Sequence, residues 1–418
     1  VTSHDVQAAQ RAGFLPVILG TNIHGYTHAR SFHETYGVKP LMIGKIKLGF
    51  TWDSTILAME LHEDITDDDA FVRILTDRAR QLSADYQVPL LLVPSTDIYV
   101  ELVSRHREVL AEHYLMNTPA EPVRQKFMDK QRFYEMAAEH GVDIPETQVH
   151  QIGEPFELEV DRFPVIIKPA NPNQWWMNQH KIAGHKKVYR LTTVKEVADV
   201  VAAVEASDYR GALIIQEFIP GDDTNIWDSV LYVNTEGTCE LVTLGRVALQ
   251  EHESHLVGSY TAILSRYDES LMLTYKNFLE AVGYTGVANV DIKFDPRDRK
   301  YKVMEINARP GRSSYYTALL GHPVMKYLVD DLVYGQRKKL TLAEGDALFH
   351  VAPRYILRKY VTNPEVRSEV NRLIKQGKAT NPLWYRADRS PKRLAYLAGR
   401  HFRQGKKYAA STWRDGLS

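Results

Sequence analysis

Cysteine is nearly missing from this chain: Cys239 stands alone among 418 residues. That excludes an internal disulfide framework and any cysteine-based metal site, and it suits a reducing, cytoplasmic setting. No apolar run approaches the roughly 20 residues a membrane-spanning helix needs, and Val1–Arg11 has no signal-peptide core. The 16 histidines are scattered without an HExxH-type pair, so a zinc site is not expected. The glycine-bearing stretch GTNIHG (20–25) does not have the GxGxxG spacing, so no dinucleotide site is inferred from it. Nothing has a Ser-His-Asp or Cys-His nucleophile signature, and there is no repeat or low-complexity tract. No aromatic–basic module for nucleic acid is present either.

The remaining composition is that of an ordinary globular protein, 44% hydrophobic and 25% charged. Its length calls for two or three domains. Net charge is zero but unevenly spread. Residues 336–418 carry 19 Lys/Arg against 6 Asp/Glu, leaving 33 against 46 in residues 1–335. A basic tail of this kind either meets an anionic surface, such as a membrane face, or docks on the acidic body.

Hydrophobic patterning divides the chain into four parts. In residues 1–120, strand patterns at Phe14–Gly20, Val38–Ile43 and Val88–Val93 alternate with helical ones at Tyr26–Tyr36, Asp67–Asp85 and Pro94–Arg107, which is an α/β arrangement. Residues 121–220 hold a helix over Val123–His140, short strands at Pro164–Pro169, Lys187–Leu191 and Ala212–Ile219, and a helix at Thr193–Ser207. Residues 221–335 hold long strands at Asn225–Val233 and Cys239–Ala248 and a helix at Asp268–Val282. A hairpin (Ala288–Phe294 and Lys302–Ile306) and helices at Arg312–Leu320 and His322–Tyr334 follow. Residues 336–418 form the basic extension. There Leu348–Tyr360 reads as strand or helix, and Pro364–Gln376 and Pro391–Gly405 as helices.

The hairpin holds the most chemistry. Alternation puts Glu305 and Asn307 on one face, and folding brings Asp291 beside them. Two carboxylates and an amide oxygen among apolar neighbours are costly without a counter-charge. A hard divalent cation satisfies all three, and Mg²⁺ typically sits on one or two carboxylates plus substrate phosphates. Arg309 follows, placed to meet negative charge. A solvated hairpin face is the plain alternative. Lys168, in the apolar run PVIIKP, needs an anionic partner or lies at a strand end with its amine in solvent. Lys130, in the Asp129-Lys130 pair, is a second phosphate candidate. The backbone at Glu217, Phe218 and Ile219 could bond a flat base, or merely enter a turn. Asp222 and Asp223 could accept ribose hydroxyls or be turn acids. Glu251 and His255 are candidates for a general base, in what reads as a polar surface loop.

The order of these elements resembles the ATP-grasp superfamily from about residue 123 to 335. The motifs that carry the resemblance are VIIKP, IIQEFIPG and D-I-K-F-D…E-I-N-A-R-P-G. It implies an α/β N-terminal domain plus two α+β ATP-grasp subdomains that grip ATP between them. Lys130 and Lys168 would hold phosphates, the Glu217–Ile219 backbone adenine, and Asp223 the ribose. Asp291, Glu305 and Asn307 would bind Mg²⁺, with Glu305 bridging two ions. Arg309 would stabilise an acyl phosphate and the tetrahedral intermediate. Two departures stand out. Residues 169–187 hold one glycine where many relatives have a glycine-rich loop, so Lys186 or Lys187 would have to substitute. Asn289 stands where D-alanine–D-alanine ligases place an arginine, which shifts anion stabilisation to Arg309 with Arg246 or Arg312; Ser313 is a further substrate candidate.

Over the whole chain, PVILGTNIHGYTHARSFHETYG (16–37), VIIKPANPNQWW (165–176), HKKVYR (185–190) and EINARPGRSSYY (305–316) are similar to the D-aspartate ligases of bacterial cell-wall assembly. That resemblance implies a carboxylate–amine ligase joining an amino-acid donor to the amine of a muramyl-peptide precursor. A ligase making free dipeptides, or a nucleotide-binding regulatory protein without catalysis, are the alternatives.

Overall fold

Strand β1 (Leu15–Leu19) lies in a parallel sheet with β2 (Leu41–Gly44), β3 (Ala58–Leu61) and β4 (Leu90–Pro94), in the order β3-β2-β1-β4. In the computed structural model, residues 2–170, 175, 182, 186, 188–253, 256 and 258–411 are described, residues 130 and 131 by backbone only. β1, β2 and β4 are buried along their length, as apolar strands covered on both faces must be. The helix after β1 runs Ile23–Tyr36, three residues earlier than its hydrophobic pattern predicts. The reason is Asn22, whose side chain accepts from the Gly25 N–H at 3.1 Å and caps the helix. Gly20 takes φ +108, and a Cβ there would come within 2.4 Å of Ser95 Oγ. The GTNIHG glycines thus serve a tight strand-to-helix turn that puts His24 in the first helical turn.

The chain resolves into two compact units: residues 1–125, 221–292 and 305–418 in one, 126–220 and 293–304 in the other. In the second unit, β5 (Thr147–Gln151), β6 (Val165–Pro169), β7 (Tyr189–Leu191) and β8 (Ala212–Glu217) form an antiparallel sheet ordered β5-β8-β6-β7. A helix at Val194–Glu205, started by a Thr193/Glu196 capping box, contributes Val197, Val201 and Val204 to the core with Ile167 and Ile215. The single helix expected over Val123–His140 is two, Glu121–Met128 and Lys130–Glu139. Asp129 breaks it by taking an extended conformation and capping the second helix through the Arg132 N–H.

In the first unit the main sheet contains β9 (Ile226–Val233), β10 (Cys239–Gln250), β11 (Tyr260–Arg266), β12 (Gly286–Asp295), β13 (Lys300–Asn307), β14 (Thr341–Leu342), β15 (Leu348–His350) and β16 (Ala379–Thr380). Its order is β13-β12-β9-β10-β11-β15-β16, with β14 on β10. The distal part of the β12–β13 hairpin, residues 293–304, belongs to the second unit. β11 had no counterpart in the sequence reading, because it is buried almost throughout and lacks the alternation that marks a half-exposed strand. Leu348–Tyr360 is both strand and helix, with Pro353 preceding the helix Arg354–Tyr360. The expected Arg312–Leu320 helix is a 3-10 turn, Ser313–Tyr315, and one α turn, Tyr316–Leu319.

Residues 336–418 are not a detached basic extension. β14–β16 join the main sheet, and Leu348, Ile356, Val366 and Tyr408 pack with Leu249 and Leu264. The last helix, Pro391–Ala410, buries Arg393 and Arg400. Arg393 pairs with Asp388 at 2.9 Å, both fully buried. Asp388 also accepts from Tyr26 Oη (2.8 Å), Ser54 Oγ (2.9 Å) and the Thr55 N–H (2.7 Å), which ties this segment to the first sheet's elements. No described helix is long and apolar enough to cross a membrane.

Removing one partner of a buried ion pair strands the other charge. Asp388→Ala is therefore expected to cost roughly 3–5 kcal/mol of unfolding free energy, measured by urea denaturation. A loss under about 1 kcal/mol, as for an exposed pair, would contradict this role.

Candidate active site

β12 and β13 place Asp291, Glu305 and Asn307 at the base of the hairpin, in the first unit. Asp291 accepts from Tyr260 Oη and from Asn307 Nδ2, each at 2.9 Å. Asn289 Nδ2 reaches Asp228 Oδ1 at 2.7 Å and Asp291 Oδ1 at 3.4 Å. Asp228 is fully buried, and its Oδ2 has no hydrogen-bond partner among the described residues. Desolvation and then the Glu305 charge push the Asp291 carboxyl up to about 7, against the opposing pull of Tyr260, Arg309 and Asn307. Burial and Asp291 push Asp228 up as well.

Among the described residues, no three His, Cys, Asp or Glu side chains form a metal cage by themselves. Asp291, Glu305 and Asn307 instead offer two carboxylates and an amide oxygen. This hard-oxygen set suits Mg²⁺, which keeps waters and substrate phosphates in its shell. Burial and the Glu305 charge disfavour the Asp291 carboxylate, and a bound cation would offset both, so the residues fit a divalent cation.

Arg309 Nε and Nη2 grip Asp97 at 2.8 and 3.2 Å, and Nη2 also reaches Asn307 Oδ1 at 3.2 Å. Its Nη1 makes no hydrogen bond among the described residues. Nearby, His24 Nδ1 meets the Ser95 carbonyl at 3.1 Å, so Nδ1 carries the proton in the neutral ring. Burial, then the charges of Arg309 and Arg312, hold His24 well below the ordinary imidazole range. It is thus a neutral imidazole beside two guanidiniums. Arg312 lies 3.8 Å from Glu251. Ser313 is buried, with its hydroxyl 3.4 Å from Asn289 Oδ1, so it supports the Asp228–Asn289 layer. Arg246 is turned to Thr224, whose carbonyl it bonds at 2.7 Å.

In the second unit, Lys168 on β6 lies half-buried, its Nζ 3.5 Å from Gln216 Oε1. Gln216 is held by Tyr134 and Thr147, each at 2.8 Å. The Glu217 side chain is structural: it pairs with Lys302 at 2.7 Å and Arg297 at 2.6 Å, and Lys302 also meets Asp295 at 2.9 Å. The Glu217 and Phe218 N–H groups bond the Glu146 and Pro164 carbonyls, while the Ile219 N–H has no backbone acceptor among the described residues. The Phe218 ring lies under Arg190 (4.4 Å) and Lys293 (5.0 Å). Lys130 opens a helix, but its side chain lies outside the described residues, as do Lys187 and His255; Lys186 is exposed. Asp223, back in the first unit, is buried and already accepts from Gln250 and His252.

Several participants escaped sequence reading: Asp97, Asp228, Tyr260 and His24. Only His24 had a local signal, the glycine-flanked turn after β1. The others are ordinary residues brought in by long-range pairing.

No protein-family model matches the chain. The D-aspartate ligase of Enterococcus faecium (strain Aus0004) is 30% identical over 408 residues, spanning 94% of this chain and 96% of that protein. Two solved structures share the fold. The L-amino acid ligase from Bacillus licheniformis has a TM-score of 0.52 and 14% identity, covering 76% of this chain and 73% of its own. Biotin carboxylase from Campylobacter jejuni, in complex with a β-γ-ATP ligand, has a TM-score of 0.58 and 12% identity, covering 81% and 76%.

A proton and a divalent cation compete for Asp291. The group's ordinary value is 3.8 and its value here about 7. In the metal-free protein it therefore costs stability as pH rises from about 4 to 7. Mg²⁺ affinity, measured by calorimetry with the metal alone, is expected to weaken about tenfold per pH unit below 7 and to level off above it. An affinity constant between pH 5.5 and 7 would contradict this.

Proposed function

The chain belongs to the D-aspartate ligase family of ATP-grasp carboxylate–amine ligases, and from that premise we propose that it joins a D-aspartate-like donor to the side-chain amine of a peptidoglycan stem peptide. The observation that carries this reading is the junction of Arg309 with Asn307 and Asp291, a cation-seeking carboxylate site with a guanidinium beside it.

In this reading the donor's carboxylate oxygen attacks the γ-phosphorus of ATP. The bond to the β–γ bridging oxygen breaks, giving an acyl phosphate and ADP. The acceptor nitrogen then attacks the acyl carbon; the C–N bond forms, phosphate leaves, and the amine loses a proton to solvent. No protein nucleophile is required. Positioning and fixed charge perform the catalysis. Lys130 and Lys168 hold the phosphates. The Ile219 N–H and Glu217 carbonyl take the adenine edge, and Asp223 the ribose once it exchanges its present partners. Asp291, Glu305 and Asn307 would hold Mg²⁺, Glu305 serving a second ion as well. Mg²⁺ supplies charge neutralisation to the phosphates when bound. Arg309, its fork fixed by Asp97, directs Nη1 to the acyl phosphate and the tetrahedral oxyanion.

ADP release with a panel of D- and L-amino acids, with and without a muramyl pentapeptide, tests the reading. Turnover should require both a D-aspartate-like donor and the stem peptide. Release with free amino acids alone would make it a dipeptide ligase, and no release with any pair would refute ligation. Arg309→Ala should keep ATP affinity and lose about 10²–10³ in kcat, the usual cost of one oxyanion donor. Near-normal turnover would remove Arg309 from the chemistry.

A further inference from the structure

The last helix buries two arginines seven residues apart, on one face. Their surroundings differ. Arg393 has its own carboxylate, Asp388. Arg400, 8% exposed, has none of its own among the described residues. Its Nη1 bonds the Val351 carbonyl at 3.1 Å and Gln404 Oε1 at 2.8 Å, and its guanidinium lies 5.2 Å from the Phe50 ring centre. Nε and Nη2 make no hydrogen bond among the described residues. Arg312, in the turn after the hairpin, makes no side-chain hydrogen bond among the described residues. Its one ion pair is the loose 3.8 Å contact with Glu251, and its side chain is 14% exposed.

Arg312 and Arg400 repel each other, and both are attracted to Glu251. Burial depresses both guanidiniums, Arg400 to about 10. Two nearly buried cations therefore share one carboxylate. An excess charge in such surroundings is costly unless a ligand of opposite sign completes it. A guanidinium with unused N–H groups presents the forked geometry that a carboxylate matches. Arg312 also lies within electrostatic reach of Arg309 and His24.

We propose that Arg312 and Arg400 form an anion subsite for the second, non-reacting carboxylate of a dicarboxylic amino-acid donor. This rests on the ligase reading above. It makes the basic C-terminal helix part of donor selection: a donor with one carboxylate leaves the pair uncompensated, and a dicarboxylate completes it.

The test uses the full-length protein, with ADP release as the readout, and compares D-aspartate with its two monoamides, D-asparagine and D-isoasparagine. Arg312→Gln is expected to raise KM for D-aspartate about 10- to 100-fold, the worth of a charge-assisted hydrogen bond, with KM for ATP and for the muramyl pentapeptide unchanged. Discrimination between D-aspartate and whichever monoamide keeps the reacting carboxyl should narrow by the same factor. Arg400→Gln should act in the same direction, and Arg400→Lys, which keeps the charge, should recover at least part of the loss. D-aspartate-induced thermal stabilisation, read without turnover, should weaken in parallel. A wild-type enzyme that releases ADP with D-aspartate, but whose Arg312 and Arg400 variants leave the discrimination ratio unchanged, overturns the subsite while the ligase reading stands. A shift in KM for ATP or for the pentapeptide instead of the donor also overturns it. A wild-type enzyme that releases no ADP with any donor refutes the ligase reading itself.

Discussion

Negative charge at the base of one hairpin is met at Asp228 and Asp291 by hydroxyl and amide donors, and much of the site follows from that. Asp291 is repelled by both Asp228 and Glu305, while Tyr260, Asn289 and Asn307 offer hydroxyl and amide donors to Asp228 and Asp291. Arg309 is adjacent, but its fork is engaged by Asp97. The balance is left open to a ligand. The same two strands, a few residues further along, show the opposite design. There Asp295 meets Lys302 and Arg297, and Glu217 meets both cations. Hydrogen bonds from Arg297 and Lys302 overcome burial and hold Asp295 well below the usual carboxylate range. One hairpin thus carries a self-neutralised carboxylate that stabilises the fold and a charge-deficient one that suits chemistry.

The difference explains what the sequence could disclose. Asp291, Glu305 and Asn307 were legible because alternation fixes which side chains share a face, and a hairpin brings its own strands together. The partners that set their electrostatics come from distant positions. Nothing local marks Tyr260 or Asp228 as neighbours of Asp291. Glu217 was legible as part of a strand end, but its side chain belongs to a buried ion cluster whose members Lys302 and Arg297 lie some eighty residues on. Asp129 ended a helix that its hydrophobic pattern would have continued, because a short carboxylate at a cap competes with the helix for backbone hydrogen bonds.

Charge counts were limited in a related way. The excess of Lys and Arg after residue 335 fitted either a surface meeting an anion or a segment docked on the acidic body. A count carries no direction: Arg393 and Arg400 face inward, one neutralised by Asp388 and the other sharing Glu251 with Arg312. Much of the rest of this basic surplus remains on exposed positions such as Lys392 and Lys406.

The first unit is assembled from three separated stretches, and its final helix closes over residues near the start of the chain. Such contacts cannot form until the later stretch has been synthesised. Tyr26 and Phe50 wait for Asp388, Arg393 and Arg400, and Asp388 lies 362 residues beyond Tyr26 in the chain. A product terminated before residue 388 therefore lacks these contacts with Tyr26 and Phe50.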